Sequence, residues 1–169
     1  IEKCSKAGAK FDYEKGKWFN HHYIQEASDD RLASLLRPYF DEAGYPFDAA
    51  RVARCIALVK ERAQVLPELF EQITYFFSAP TAYDEKTVSK MRELAHLLST
   101  LSETLPSEET EQAVKAWIEE KGYGLGAVMN CFRLALVGAA KGPHLFDICA
   151  LLGREETLCR LARIVEVLG

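Results

Sequence analysis

Apolar residues recur at helical rather than strand spacing along most of this 169-residue chain. From Ser28 to Gly44, Leu32, Leu35, Leu36, Tyr39 and Phe40 fall three or four apart, behind a Ser/Asp start and ahead of a glycine stop, which predicts a helix. Pro38 is expected to kink it or end its first half. Asp48 is a candidate cap for a second helix carrying Val52, Cys55, Ile56 and Val59 on one face, and Pro67 opens a third that runs through "ELFEQITYFF". "SAPTAYD", Ser78 to Asp84, has turn formers and no apolar period, so it reads as a linker.

Beyond the linker, Val88, Met91, Leu94, Leu98, Leu101 and Leu105 predict one long amphipathic helix ended by Pro106. Ser107 is expected to cap an acidic helix with Val114, Trp117 and Ile118 inward. After "KGYGLG", shorter helices are predicted at Ala127–Val137, Pro143–Leu152 and Glu155–Leu168. Strand signals are weak throughout. The predicted fold is therefore all-α, a two-part helical bundle, with one part at 28–78, the other at 79–169, and a segment 1–27 that resembles the edge of a structure continuing upstream.

Composition changes this picture little: 49% hydrophobic and 27% charged residues are ordinary for a soluble protein. No stretch approaches the roughly 18 to 20 apolar residues of a membrane span, and no signal peptide pattern opens the chain, so a cytoplasmic protein without a membrane partner is expected. The chain opens on Ile1 in a mixed polar stretch, which suggests a piece of something longer. Five scattered cysteines without a C-x-x-C pair suggest small core residues in a reducing compartment. Adjacent His21 and His22 point in different directions on any regular element, so no metal site is expected.

Charge bears more directly on partners. The net charge of −4 argues against a nucleic-acid partner, but six acids against one base lie between residues 103 and 120. The remainder is about neutral and leaves room for a basic face. No Gly-rich phosphate loop, Ser/His/Asp order or H-E-x-x-H occurs, so no catalytic residue is assigned. Residue pattern alone reaches a helical binding or scaffolding module, with a protein–protein interaction module as the reading that needs no nucleic acid.

Three segments carry a resemblance. "KFDYEKGKWFNHHYI" is similar to the F-D-x-x-K-L-x-W-x-N-x-x-Y-I segment of bacterial-type glutamyl-tRNA synthetases. "FRLALVGAAKGPHLFDICALLGREETLCRL" is similar to their R-x-A-L-T-G-x-x-x-G-P-x-L-F-x-x-x-x-L-L-G-K-E signature, and "LVKERAQVLPELFEQITYFF" to the helix with an arginine ahead of T-L-x-E. Together they cover essentially the whole chain in order. Three positions depart from the pattern: Gly16 stands for Leu, Val137 for Thr, and His144 for a small residue.

The resemblance implies the end of a stem-contact region at 1–27, followed by a two-part anticodon-binding domain of a class I synthetase. It further implies that Arg62 discriminates an anticodon base, separating glutamate from glutamine tRNAs. Arg133, Gly142, Pro143 and Leu145 are implied to contact the other anticodon bases, and Lys17, Trp18 and Asn20 the inner bend of the tRNA or the domain junction. The implied partners are tRNA(Glu) and a catalytic domain of the same chain, in a monomer. This region would hold no cofactor, and ATP and Mg²⁺ would act in the parent enzyme. Single-stranded anticodon bases are read by stacking and by bonds to their Watson–Crick edges, and arginine suits both tasks. Gly138 is expected to end one helix in the left-handed region, and Pro143 to open the next with free backbone N–H groups.

Overall fold

A computed structural model describes residues 12–79, 88–101, 104–139 and 141–168, and among these every regular element is helical. The helices are α1 (Tyr13–Glu26), α2 (Asp29–Ala43), α3 (Ala49–Val59), α4 (Leu66–Ile73), α5 (Val88–Ser99), α6 (Ser107–Lys121), α7 (Leu125–Val137) and α8 (Leu145–Leu168). Short 3₁₀ turns at Lys60–Arg62 and Thr74–Phe76 follow α3 and α4. None of the described helices is long and apolar enough to cross a membrane.

Local chemistry sets several boundaries where the sequence places them. Ser28 caps α2 through the Arg31 N–H, and Gly44, at φ 71°, ends it with a left-handed residue. Asp48 accepts from the Arg51 N–H at 2.9 Å and starts α3. Pro38 neither breaks nor ends α2, which runs through it undivided. Its ring sits on the exposed side of a helix whose buried side is Leu32, Ala33, Leu36 and Phe40, so packing holds the helix across the missing bond; Leu35, on the apolar spacing, is exposed.

α2, α3 and α4 pack together around Phe40, whose ring meets Phe47, Phe70 and Phe77 edge-on. α5 to α8 pack together around Leu94, Leu98, Val114, Phe132 and Phe146. The two groups meet where α3 touches α8 and where α7 touches the 3₁₀ turn Thr74–Phe76, and one buried apolar cluster runs through both.

Three local expectations need correction. α5 ends at Ser99 instead of running to Leu105: the Ser99 and Thr100 hydroxyls bond back to the carbonyls of His96 and Leu97, and Leu101 N–H bonds only three residues back. Leu105 still reaches the core, from a backbone at φ 44°. Ser107 does not cap α6; its hydroxyl donates to Asp147 at 2.6 Å, joining α6 to α8. Pro143 lies two residues ahead of α8, which starts at Leu145. The span α8 is two helical segments that meet at non-helical Gly153, φ 78° and ψ 170°, where the sequence places the break between its last two helices.

Residues 13–26, given no element by the apolar pattern, form α1, capped by Asp12. It buries only Ile24 and leaves Tyr13, Trp18, Phe19 and Tyr23 exposed. Residues 1–11 and most of the expected linker lie outside the described residues.

Candidate nucleic-acid interface

Arg62 closes the 3₁₀ turn after α3, and the turn is pinned from both sides by backbone acceptors. His21 Nδ1 of α1 donates to Ala63 O at 2.8 Å, and Gln25 Nε2 donates to Lys60 O at 2.8 Å. Lys60 Nζ returns to Ala27 O and to Asp29. Gln72 Nε2 of α4 donates to Arg62 O at 3.3 Å. The backbone under Arg62 is thus fixed by three helices, while its side chain is exposed and makes no ion pair among the described residues.

α7 and α8 bring the second set of residues to the same place. α7 ends at Gly138, φ 74°, whose N–H bonds to Leu134 O, as its left-handed stop predicts. The chain then passes Lys141, Gly142 and Pro143 before entering α8. Arg133 Nη1 donates to Pro143 O at 2.7 Å, so the arginine crosses the turn and holds it closed. A Cβ on Gly142 would stand 3.1 Å from the same nitrogen, so any larger residue there makes the guanidinium give way. Burial lowers the Arg133 pKa from its ordinary value, with Tyr75 opposing and the like charge of Arg62 reinforcing the shift.

A cleft of about 470 Å³ lies between these two sets. One wall is Val59, Arg62, Gln72 and Tyr75; the other is Val137, Ala139, Lys141, Gly142 and Pro143. Three of the sequence-derived candidates, Arg62, Gly142 and Pro143, therefore share one cavity, and Arg133 braces it from behind through Pro143. Leu145 differs from them: the whole residue is buried in the core at 1% exposure, at the first turn of α8, and it is not among the residues that line the cleft. The start of α8 is also supplied with negative charge. His144 sits between Glu111 and Asp147 at 3.3 and 3.5 Å, which explains how a larger residue is held at this position.

The walls are largely apolar, which suits the faces of a planar base, and they carry Arg62 and Lys141 against the single acid Glu71. Tyr75, Gln72 and Lys141 belong to the cleft but escaped the sequence reading. Tyr75 was hidden in the apolar run "ITYFF", yet a tyrosine in such a run needs a hydrogen-bond partner. Its hydroxyl is buried and has none among the described residues, and burial pushes its phenol upward, so it stays protonated as a donor.

Lys17, Trp18 and Asn20 lie on α1, apart from the cleft. Lys17 stands over the Tyr13 ring at 5.1 Å, Trp18 is 63% exposed and stacks on His22, and Asn20 borders a separate groove with Tyr23 and Leu35. No group of His, Cys, Asp or Glu that could hold a metal occurs among the described residues.

Residues 31–165 match the family model for the anticodon binding domain. The whole chain is 55% identical to part of the glutamate–tRNA ligase of Porphyromonas gingivalis, and 99% of it is 49% identical to part of that of Phocaeicola vulgatus. Each match covers 35% of the relative, so the chain spans about a third of the length of these proteins. Among solved structures, a glutamate tRNA ligase from Elizabethkingia meningosepticum in complex with its amino acid superposes over 99% of this chain and 35% of its own, with a TM-score of 0.83 at 34% identity.

Proposed function

The chain belongs to the anticodon-binding domain family, in the form carried by glutamate–tRNA ligases, and from that premise we propose that its central cleft reads anticodon bases of tRNA(Glu). The observation that carries this reading is the convergence of Arg62, from the α2–α4 group, with Gly142 and Pro143, from the α5–α8 group, on one cavity. An unstacked base entering it meets apolar walls on its faces and the free guanidinium of Arg62 at its edge. Arg133, spending one nitrogen on Pro143 O, keeps further donors for a second contact. Leu145 contributes by packing the first turn of α8 into the core next to Gly142 and Pro143.

The two groups of helices then act as two halves of one reader, 28–78 and 79–169, with α1 ending the stem-contact region. Lys17, Trp18 and Asn20 lie where the tRNA bend or the rest of the protein would meet it. In the full-length protein we assign glutamate activation, with ATP and Mg²⁺, to a catalytic domain of the same chain, acting as a cytoplasmic monomer.

The test is binding of the full-length protein to tRNA(Glu) and to versions with each anticodon base replaced. Arg62→Ala is expected to cost about 1 to 3 kcal/mol and to flatten discrimination at one anticodon position. An equal loss for every anticodon would make Arg62 a phosphate contact. Affinity for tRNA(Glu) no higher than for an unrelated tRNA at matched salt would overturn the reading.

A further inference from the structure

Arg160, in the second half of α8, is 1% exposed and the largest fully buried side chain among the described residues. Its Nε donates to Glu156 Oε1 at 2.7 Å, and its Nη1 donates to two backbone carbonyls, Tyr75 O at 2.6 Å and Leu136 O at 2.7 Å. The two carbonyls lie on opposite sides of the cleft. Tyr75 lines the wall that also carries Arg62, and Leu136 immediately precedes Val137 on the wall that carries Gly142 and Pro143. One nitrogen therefore joins the backbones of both walls.

Each carbonyl has its own reason to need a donor. Leu136 O lies in the last turn of α7, where carbonyls have no partner within the helix. Tyr75 O lies at the 3₁₀ turn after α4, whose backbone bonds are taken up at Thr74 O. An apolar side chain of similar length would fill the space but leave both oxygens unpaired. Burying a guanidinium is costly unless it is paired and fully hydrogen-bonded. Here that cost is met at the junction of the two helical groups, where α7 meets the turn Thr74–Phe76. Separating the walls stretches at least one of the two short bonds.

We infer that Arg160 is a positioning residue for the cleft: it never touches the RNA, and it sets the spacing between the Arg62 wall and the Gly142–Pro143 wall, so that both engage one anticodon loop together. The inference rests on the anticodon reading of the cleft.

The experiment is a double-mutant cycle in the full-length protein, measuring KM for tRNA(Glu) and kcat at saturating tRNA for Arg160→Met, Arg62→Ala and the pair. Arg160→Met is expected to raise KM by about tenfold with kcat within about twofold, and to raise it by clearly less in the Arg62→Ala background, because residues acting as one unit are not additive. Arg160→Lys, which keeps a cation able to reach one carbonyl, is expected to show a smaller rise with the same non-additivity, and it carries the comparison if the methionine variant does not fold. KM factors that simply multiply, or a lowered melting temperature with KM unchanged, overturn the positioning role. An Arg62→Ala protein with unchanged KM brings down the anticodon reading and the positioning role with it. A raised KM for Arg62→Ala beside an unaffected Arg160→Met and Arg160→Lys brings down the positioning role alone.

Discussion

Arg133 donates to the carbonyl of Pro143 across the turn between α7 and α8, at 2.7 Å, and the Cα of Gly142 lies so near that an added methyl would stand 3.1 Å from the donating nitrogen. The arginine and the Gly-Pro step are therefore one device. The arginine supplies the donor for a carbonyl that has left the helix, and the glycine makes way for the guanidinium. A stretch that reads as a core helix spoiled by a charge is two helices with a braced corner between them.

Gly142→Ala separates the brace from the stability of the fold. The atom in the way is the tip of a flexible side chain, and Gly142 has no positive φ, so the backbone accepts alanine. The entropy removed from the unfolded chain offsets part of the displacement, and the melting midpoint is expected to move by less than about 1 kcal/mol equivalent. The guanidinium, however, must shift, which stretches and re-aims its bond to Pro143 O, and KM for tRNA(Glu) is expected to rise by roughly three- to tenfold. Steady-state aminoacylation beside a thermal melt checks both; an unchanged KM would free the turn from RNA contact.

Leu145→Ala is expected to do the reverse. Its side chain is fully packed in the α5–α8 core, so truncation leaves a cavity costing about 2 to 4 kcal/mol. Its backbone N–H keeps its place at the start of α8, and tRNA affinity measured well below the melting transition is expected to stay within about twofold. A large affinity loss in a fully folded variant would give the leucine side chain a direct role.

Alkaline destabilisation is expected from the buried thiols. Burial pushes Cys55 from its ordinary 9.0 up to about 12, against the favourable charges of Arg51 and Arg54, and Cys149 is raised in the same direction. The folded state holds these protons at a pH where the unfolded chain releases them. Stability is therefore unaffected by these groups below about pH 9 and falls as pH climbs from there toward 12. Urea midpoints at pH 8 and pH 10, compared between the parent and Cys55→Ala, check the sign: the variant is expected to lose less on the way up. Equal losses would assign the pH dependence to other groups.

What was legible in the sequence is what local chemistry determines. Ser28, Gly44, Asp48 and Gly138 act on backbone groups within a few residues, so their roles can be read along the chain. α1 was not legible because its docking is polar and remote: His21 and Gln25 bond carbonyls 42 and 35 residues away, while most of its aromatic side chains stay in solvent. Nothing local distinguishes Arg160 from the other charges of the terminal helix, since its role depends on carbonyls 85 and 24 residues distant. In the cleft, resemblance singled out Arg62, Gly142 and Pro143, and tertiary packing alone brought Tyr75 and Lys141 beside them.

α1 supplies the last prediction. Lys17 lies over the Tyr13 ring, which supports its stem from one side and leaves the ammonium hydrogens free for an acceptor on the other. Beside it Trp18 is exposed, and among the described residues its ring contacts are to His22 and Phe19 on the same helix, so the Trp18→Ala variant of this region is expected to lose at most about 1 kcal/mol of stability. If α1 borders the inner bend of the tRNA, Lys17 is a phosphate contact. Lys17→Met in the full-length protein is then expected to weaken binding for all anticodons alike and to lower the slope of log affinity against log salt by about one. The same measurement on Arg62→Ala is expected to leave that slope nearly unchanged while altering anticodon preference, because a base-edge contact releases no counterion. A slope unaltered by Lys17→Met, together with a melting temperature lowered by Trp18→Ala only in the full-length protein, would instead make this face of α1 the seat of a neighbouring domain.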